Sequence, residues 1–181
     1  ITTKNLVFKT YDQTIYIASY LKHDTSTCFK LTLDNTDISD FTGIFTQKMK
    51  DMSGAMNGKL VVEDVFYKPK VFANLVVNEF TLGKELIGDI DVESTLDEAG
   101  KNILLYASIK SINNFVEARG SVSLDATKPG MNIDIDAKRL GINFLNYKFF
   151  ERYVKNCRGY AVAKVNMHGT FKKPLLTGDV L

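Results

Sequence analysis

The sequence Met167–Leu181, MHGTFKKPLLTGDVL, predicts a strand that stops at Gly169, a turn that ends at Pro174, and a new strand from Leu175. Proline lacks a backbone N–H and fixes φ, so Pro174 suits a turn or the entry of a strand rather than a strand interior. Glycine tolerates tight bends, which suits Gly169 at the end of a strand. A partial copy of this stretch lies around Pro69, so the strand–turn–strand unit occurs twice in the chain.

The composition is that of a globular, strand-rich protein. The chain has 181 residues, of which 45% are hydrophobic and 24% charged, enough for one sizeable core and too apolar for a disordered chain. Its 23 basic and 21 acidic residues give a net charge of +2, which gives no reason to expect nucleic acid as a partner. The 12 Phe and 8 Tyr residues, together with many β-branched residues, favour strands.

Apolar and polar residues alternate at period two along most of the chain. In residues 89–93, for example, Ile90 and Val92 alternate with three carboxylates. Such alternation is typical of strands with one face in water, and turn residues separate the successive runs. We therefore expect a mainly β fold, an antiparallel meander of roughly ten strands with one nearly continuous aliphatic face. The residues predicted to line this face are Phe29, Leu31, Leu33, Ile90, Val92, Ile103, Leu105, Val116, Val122, Leu124, Ile133 and Ile135.

Two stretches show a helical spacing instead. Apolar side chains recur every four residues at Phe41, Phe45 and Met49, and again at Leu145, Phe149 and Tyr153. This spacing puts the side chains of each set on one side of a helix. The sequence therefore predicts two short amphipathic helices, at about 40–52 and 144–156.

An imperfect internal repeat relates these two stretches. Phe45 and Phe150 are 105 positions apart, as are Pro69 and Pro174, and one inserted residue shortens the offset upstream. We expect a single fragment of a repeat domain, with copies at about 29–76 and 133–181. A long period of this kind indicates an elongated architecture in which each unit packs against its neighbours.

Catalytic and metal-binding signatures are absent from the sequence. No GxSxG, HExxH or phosphate-loop motif occurs. Neither His23 nor His168 has a Ser or Cys at the spacing of a known catalytic motif. The alternating carboxylates at 89–93 and 134–136 fit a solvated sheet face better than a catalytic pair. We therefore predict that the chain is not an enzyme and holds no cofactor or metal.

The cysteines and the chain ends leave questions open. Cys28 and Cys157 are distant in sequence, so that two free thiols and one long-range disulfide both fit.

The chain begins with Ile1, ends within a predicted strand, and shows no signal peptide and no apolar run of about 20 residues. We expect an excised piece of a longer protein, with any anchor or targeting segment outside it.

The segment Gly159–Thr170, followed by Pro174–Val180, resembles the recurring pattern "G…v.v.Gt…P.l.G.v" of TamB proteins. The preceding Leu140–Leu145 and the helix predicted there are similar to the segment before that pattern, and the resemblance extends over most of the chain from about Phe29. The chain thus resembles the C-terminal TamB domain of the AsmA-like, bridge-like lipid-transfer group, in its Bacteroides-like version. Asp64 stands in the first copy where the pattern has glycine.

The resemblance implies a fold, a location and partners. It implies a curled, U-shaped β-sheet, or β-taco, with a hydrophobic groove, in a periplasmic segment of a protein anchored in the inner membrane of a Gram-negative cell envelope. It also implies that the groove binds phospholipid acyl chains, and that a BamA- or TamA-like outer-membrane protein is a partner.

The residues alone leave the role of the aliphatic face open. It could be an ordinary sandwich or barrel core, or a trough left open by a curled sheet, and the resemblance favours the trough. Two functions follow: conduction of acyl chains between the membranes, or assembly of outer-membrane proteins by strand addition at an exposed sheet edge. A structural spacer with neither activity is the third possibility.

Overall fold

The computed structural model describes residues 4–22, 26–41, 51–66, 70–125, 127, 130–147, 156–170 and 173–181. About three quarters of them belong to β-strands, and the connections are short except those after β3 and β9. The strands are β1 Lys4–Lys9, β2 Thr14–Lys22, β3 Ser26–Asp37, β4 Met52–Glu63, β5 Lys70–Leu82, β6 Glu85–Leu96, β7 Asn102–Lys110, β8 Asn114–Ser123, β9 Met131–Gly141, β10 Tyr160–Thr170 and β11 Lys173–Val180. Two 3-10 helices interrupt the series: η1, Ile38–Phe41, follows β3, and η2, Ile142–Asn146, follows β9.

All eleven strands form one sheet whose order in space is their order in the chain. Each strand pairs antiparallel with the next, so the topology is an uninterrupted meander. The sheet does not close, because β1 and β11 each have only one neighbouring strand among the described residues. The prediction of a mainly β, open antiparallel sheet is confirmed, with eleven strands.

The sheet is curled, and irregularities in its strand pairing concentrate near one end. Five of the ten ladders shift register, the β5–β6 ladder twice, and all six shifts lie near the end that carries the turns at residues 10–13, 83–84 and 111–113. We call this end the bulged rim. Asn35 and Glu79 occupy two of the bulges with φ of 49° and 52°. Because a bulge bends its strand and increases the local twist, a line of bulges bends the whole sheet along this rim.

The two predicted amphipathic helices are not supported by the part of the chain that the structure describes. Within that part, the helical turns are the short 3-10 helices η1 and η2, which begin at Ile38 and Ile142. At the far end of the first predicted helix, Met52 already belongs to β4. Residues 42–50 and 148–155, which make up most of both predicted helices, lie outside the described residues, as does His23.

The closing stretch differs from its predicted turn. β10 continues through Gly169 to Thr170, and Pro174 lies inside β11, paired with Gly169. Proline is tolerated there because β11 is an edge strand. The backbone nitrogen of Pro174, which has no N–H to donate, faces away from β10. In the first predicted copy, Asp64 stands where the pattern has glycine and has φ of 55°, while Gly169 has φ of 101°. Aspartate is one of the few residues that tolerate the left-handed region.

Both cysteines are free thiols. Cys28 is buried and Cys157 is half-buried, so the open question of a long-range disulfide is answered against it.

Candidate functional site: an aliphatic sheet face

Three consecutive rows of side chains cross all eleven strands without a register shift. Directly paired residues of an antiparallel sheet point to the same face, and neighbours along a strand point to opposite faces. The first row is Phe8, Ile15, Leu33, Gly58, Leu75, Val92, Ala107, Ala118, Ile135, Val165 and Gly178. The third row, on the same face, is Leu6, Ile17, Leu31, Leu60, Ala73, Ser94, Leu105, Gly120, Ile133, Met167 and Leu176. We call this side of the sheet the aliphatic face.

The row between them points to the other side, the polar face. It consists of Val7, Tyr16, Thr32, Lys59, Asn74, Glu93, Tyr106, Arg119, Asp134, Asn166 and Thr177. Only Val7, on an edge strand, is aliphatic in this row. The two aliphatic rows contain one polar side chain between them, that of Ser94, whose hydroxyl bonds to the backbone of β5. The division between the faces therefore holds from β1 to β11 along these three rows.

The sequence-predicted lining residues fall on one side. Eleven of the twelve lie in strands, and register and alternation put all eleven on the aliphatic face, including Phe29 of β3, Ile90 of β6 and Val122 of β8. The twelfth, Leu124, follows the end of β8, and its amide N–H donates to the carbonyl of Lys101 at 2.9 Å.

Most of the buried aliphatic side chains of the described residues lie on the aliphatic face. They include Leu33, Val77, Met131, Ile133 and Ala137, each less than a tenth exposed. The described strands form a single sheet, so no second sheet among them covers this face. At the two edge strands the same face opens to solvent, since Leu6 and Leu176 are more than half exposed.

The polar face is a network of charged and amide side chains. The guanidinium of Arg119 lies 5.1 Å from the centroid of the Tyr106 ring and 3.5 Å from the Glu117 carboxylate. The amide nitrogen of Asn166 donates to Asp134 and Asn132, each at 2.8 Å. Within the described part of the chain, no three His, Cys, Asp or Glu side chains are grouped to hold a metal ion.

His168 belongs to this polar network. It pairs with Asn132 across β9 and β10, and its Nδ1 lies 2.9 Å from Oδ1 of Asn166. A histidine held by an amide on a solvated sheet face, without a nucleophile among its bonded partners, fits a structural role.

One contact ties the segment after η2 to a distant part of the bulged rim. The hydroxyl of Tyr147 donates to Oδ2 of Asp51 at 3.3 Å, and the Tyr147 ring lies against Gly83 in the β5–β6 turn. Burial raises the pKa of the Tyr147 phenol, and the Asp51 carboxylate raises it further because it repels the phenolate. The protonated phenol is therefore the form that this contact stabilises.

Among protein-family models, curated proteins and solved structures, none matches this chain. Within the described residues, no helix has the length and apolar character needed to cross a membrane.

The predicted set omits the parts of the aliphatic face contributed by β1, β2, β4, β5, β10 and β11. In β2, Ile15 and Ile17 point to the aliphatic face, but Tyr16 and Ala18, which point to the polar face, are also apolar. In β5, Phe72 and Val76 point to the polar face and obscure the alternation in the same way. The alternation in β3 is clear, and its pairing with β2 would have shown which side of β2 faces the aliphatic side. That pairing is not visible in the sequence of β2 alone.

Proposed function

We propose that this chain is a periplasmic segment of a TamB-like protein, and that its aliphatic face binds and conducts phospholipid acyl chains between the inner and outer membranes. The observation that carries the proposal is the pair of rows that cross all eleven described strands and are apolar at every position but Ser94. Ten inter-strand spacings of ~4.8 Å give each row a length of about 48 Å. An acyl chain lying along a row would cross strand after strand without meeting a charged side chain.

The chemistry of the rows suits movement as well as binding. Each CH2 group removed from water contributes ~0.8 kcal/mol, so ten buried CH2 groups give a gross gain of about 8 kcal/mol. Aliphatic contacts have no preferred direction, which means that a chain can slide along the row and exchange equivalent contacts. The charged headgroup stays in water at the rim of the sheet, because burial of an unpaired charge is costly.

Neighbouring residues on opposite faces provide a sharp test. Ile103 lies on the aliphatic face and Leu104, the next residue, lies on the polar face with 44% exposure. A photocrosslinking amino acid at Ile103 should give lipid adducts in a cell envelope, whereas the same group at Leu104 should give few. Native mass spectrometry of the purified chain should show co-purified phospholipid. Equal adduct yields at the two positions, together with recovery of empty protein, would contradict the proposal.

A second candidate function is assembly of outer-membrane proteins by strand addition, and the edge strand β11 favours it. All eight of its residues are exposed. Leu181 and Val162 exchange both backbone hydrogen bonds, at 2.8 and 2.9 Å, so alternate positions such as Leu176 and Val180 point their backbone groups away from β10. These groups are available to a nascent β-strand or a BamA-like partner.

A proline substitution separates the two functions. Leu176→Pro removes an outward N–H while leaving the hydrogen bonds of β11 to β10 in place, and Leu176→Ala is the matched control. Under strand addition, only the proline variant should lose capture of an outer-membrane barrel protein, while lipid adducts from Ile103 persist. Unchanged capture by the proline variant would rule out this edge as the assembly surface.

A further inference from the structure

The β7–β8 turn at the bulged rim presents a hydrophobic tip. Ile112 is 83% exposed at the centre of this turn. The turn is nonetheless firmly held, because the hydroxyl of Ser111 accepts the amide N–H groups of Asn113 and Asn114 at 3.3 and 3.0 Å. The side chain of Asn114 is itself 3% exposed and bonded to β6 and β9. These hydrogen bonds fix the turn in the conformation that exposes Ile112.

Basic and aromatic side chains surround this tip. Lys110, Phe115 and Arg139 follow one another across β7, β8 and β9 on the polar face. The Arg139 guanidinium lies 4.2 Å from the centroid of the Tyr160 ring, and the Lys138 ammonium lies 5.0 Å from that of Phe115. Cation–π contacts of this kind hold the charged ends in place beside the rings.

The remaining groups complete the patch. Tyr160 is 55% exposed, and its hydroxyl donates to Oδ1 of Asn113 at 2.9 Å, which fixes the ring beside the turn. Arg158, two residues earlier, is exposed, as are Lys110, Lys138 and Arg139. We call Lys110, Ile112, Lys138, Arg139, Arg158 and Tyr160 the rim patch.

The nearest carboxylates do not cancel this charge. Asp89 pairs with Lys110 across β6 and β7, and its Oδ1 accepts the amide N–H of Glu79 at 2.9 Å. Glu85 lines a small cavity beside Tyr160. The four basic side chains outnumber the carboxylates of Asp89, Glu79 and Glu85 at this rim, while Glu117 and Asp136 occupy the next row of the polar face.

We propose that the rim patch docks on the surface of an anionic phospholipid bilayer. An aliphatic tip and a half-exposed tyrosine match the boundary between headgroups and acyl chains, where aromatic and aliphatic side chains are favoured. Lysine and arginine beside them match the negative charge of the headgroups, each strengthening binding roughly fivefold near an anionic surface. The patch lies at the rim of the polar face, apart from the aliphatic rows, so this docking is independent of acyl binding in the groove.

Tryptophan fluorescence tests the tip directly, since the chain contains no tryptophan. Ile112→Trp keeps the tip apolar and introduces a single probe. Its emission should shift to the blue with vesicles of phosphatidylglycerol and phosphatidylcholine, and stay unchanged with phosphatidylcholine alone. Leu104→Trp, on the polar face near the opposite end of β7, is the matched control and should show no shift with either vesicle. Absence of a shift at Ile112→Trp, or an equal shift at Leu104→Trp, would overturn the proposal.

Vesicle co-sedimentation tests the charges. The double variant Lys138→Gln/Arg139→Gln should bind the anionic vesicles about tenfold or more weakly, and about 0.5 M salt should release the original chain. The control pair Lys59→Gln/Lys164→Gln removes the same charge elsewhere on the polar face and should change binding less than about twofold. Equal weakening by both pairs, or preferential binding of an acidic polypeptide such as polyglutamate over the vesicles, would overturn the proposal. Lipid adducts from Ile103 report separately on the groove.

Discussion

Asn114 is the side chain whose loss should most weaken the bulged rim. It is 3% exposed, its Nδ2 donates to the carbonyl of Ile87 at 2.6 Å, and its Oδ1 accepts the amide N–H of Gly141 at 2.8 Å. One residue thereby joins β6, β8 and β9, although β7 separates β6 from β8. Asn114→Ala removes both bonds and adds no bulk, so it isolates their contribution.

The expected loss in the free energy of unfolding follows from the two backbone groups that Asn114→Ala leaves without a partner. A buried donor or acceptor that loses its partner costs about 1–3 kcal/mol. Ile87 is buried, so its carbonyl should show a cost in the middle of that range, whereas Gly141 is half-buried and its N–H can reach water at a lower cost. We therefore expect Asn114→Ala to lower the free energy of unfolding by about 3 kcal/mol. At a urea m-value of about 2 kcal/mol/M, the midpoint would fall by about 1.5 M.

Equilibrium urea unfolding, followed by circular dichroism, measures this change. Asn113→Ala is the matched control. The Asn113 side chain is next to Asn114 in the sequence but is exposed, and its Oδ1 accepts the hydroxyl of Tyr160. The control should cost less than about 0.5 kcal/mol. A loss below about 0.5 kcal/mol for Asn114→Ala, or equal losses for the two variants, would refute the role assigned to Asn114.

Three further changes have defined outcomes. Gly58→Ala should destabilise by about 3 kcal/mol in urea unfolding, because φ is 129° and the new methyl group would collide with a β5 carbonyl. Asp51→Asn should lower the pKa of Tyr147 in an absorbance titration, with Tyr147→Phe as reference. The raised phenol pKa stabilises the fold below pH ~10, and this contribution is lost as the pH rises through the folded pKa. Hydrogen bonds, chiefly from Asn102, lower the pKa of Asp97, so Asp97→Asn should destabilise at neutral pH and converge with the original chain as acid protonates that carboxylate.

The aliphatic face was predictable where one side of a strand is charged. In β6, carboxylates at Asp89, Asp91 and Glu93 mark the solvent side, so Ile90 and Val92 could be assigned to the other face. In β2 and β5 both sides carry apolar residues, and period two alone gives no orientation. Only pairing with a clearly alternating neighbour orients such strands, and pairing is a property of the folded sheet.

The rim features could not be predicted for a related reason. Asn114 meets Ile87 and Gly141 across 27 residues in each direction, through the register of three ladders. Arg139 reaches Tyr160 because a bulge shifts β9 against its neighbour β8. Spacing of four residues between apolar side chains predicted amphipathic helices where the described chain begins with 3-10 turns. Such spacing puts side chains on one side of a helix and does not fix the type of helix.

Among the described residues the sheet has an odd number of strands, which limits how copies of it could join. In a meander of eleven antiparallel strands, β1 and β11 run in the same direction. Copies related by translation would therefore meet through a parallel ladder, the slightly weaker pairing. Antiparallel joining that keeps both aliphatic faces on one side instead requires like edges to meet, β11 with β11 or β1 with β1, about a twofold axis normal to the sheet. A filament built by antiparallel pairing thus needs two different self-complementary interfaces, and blocking either edge would limit growth to dimers.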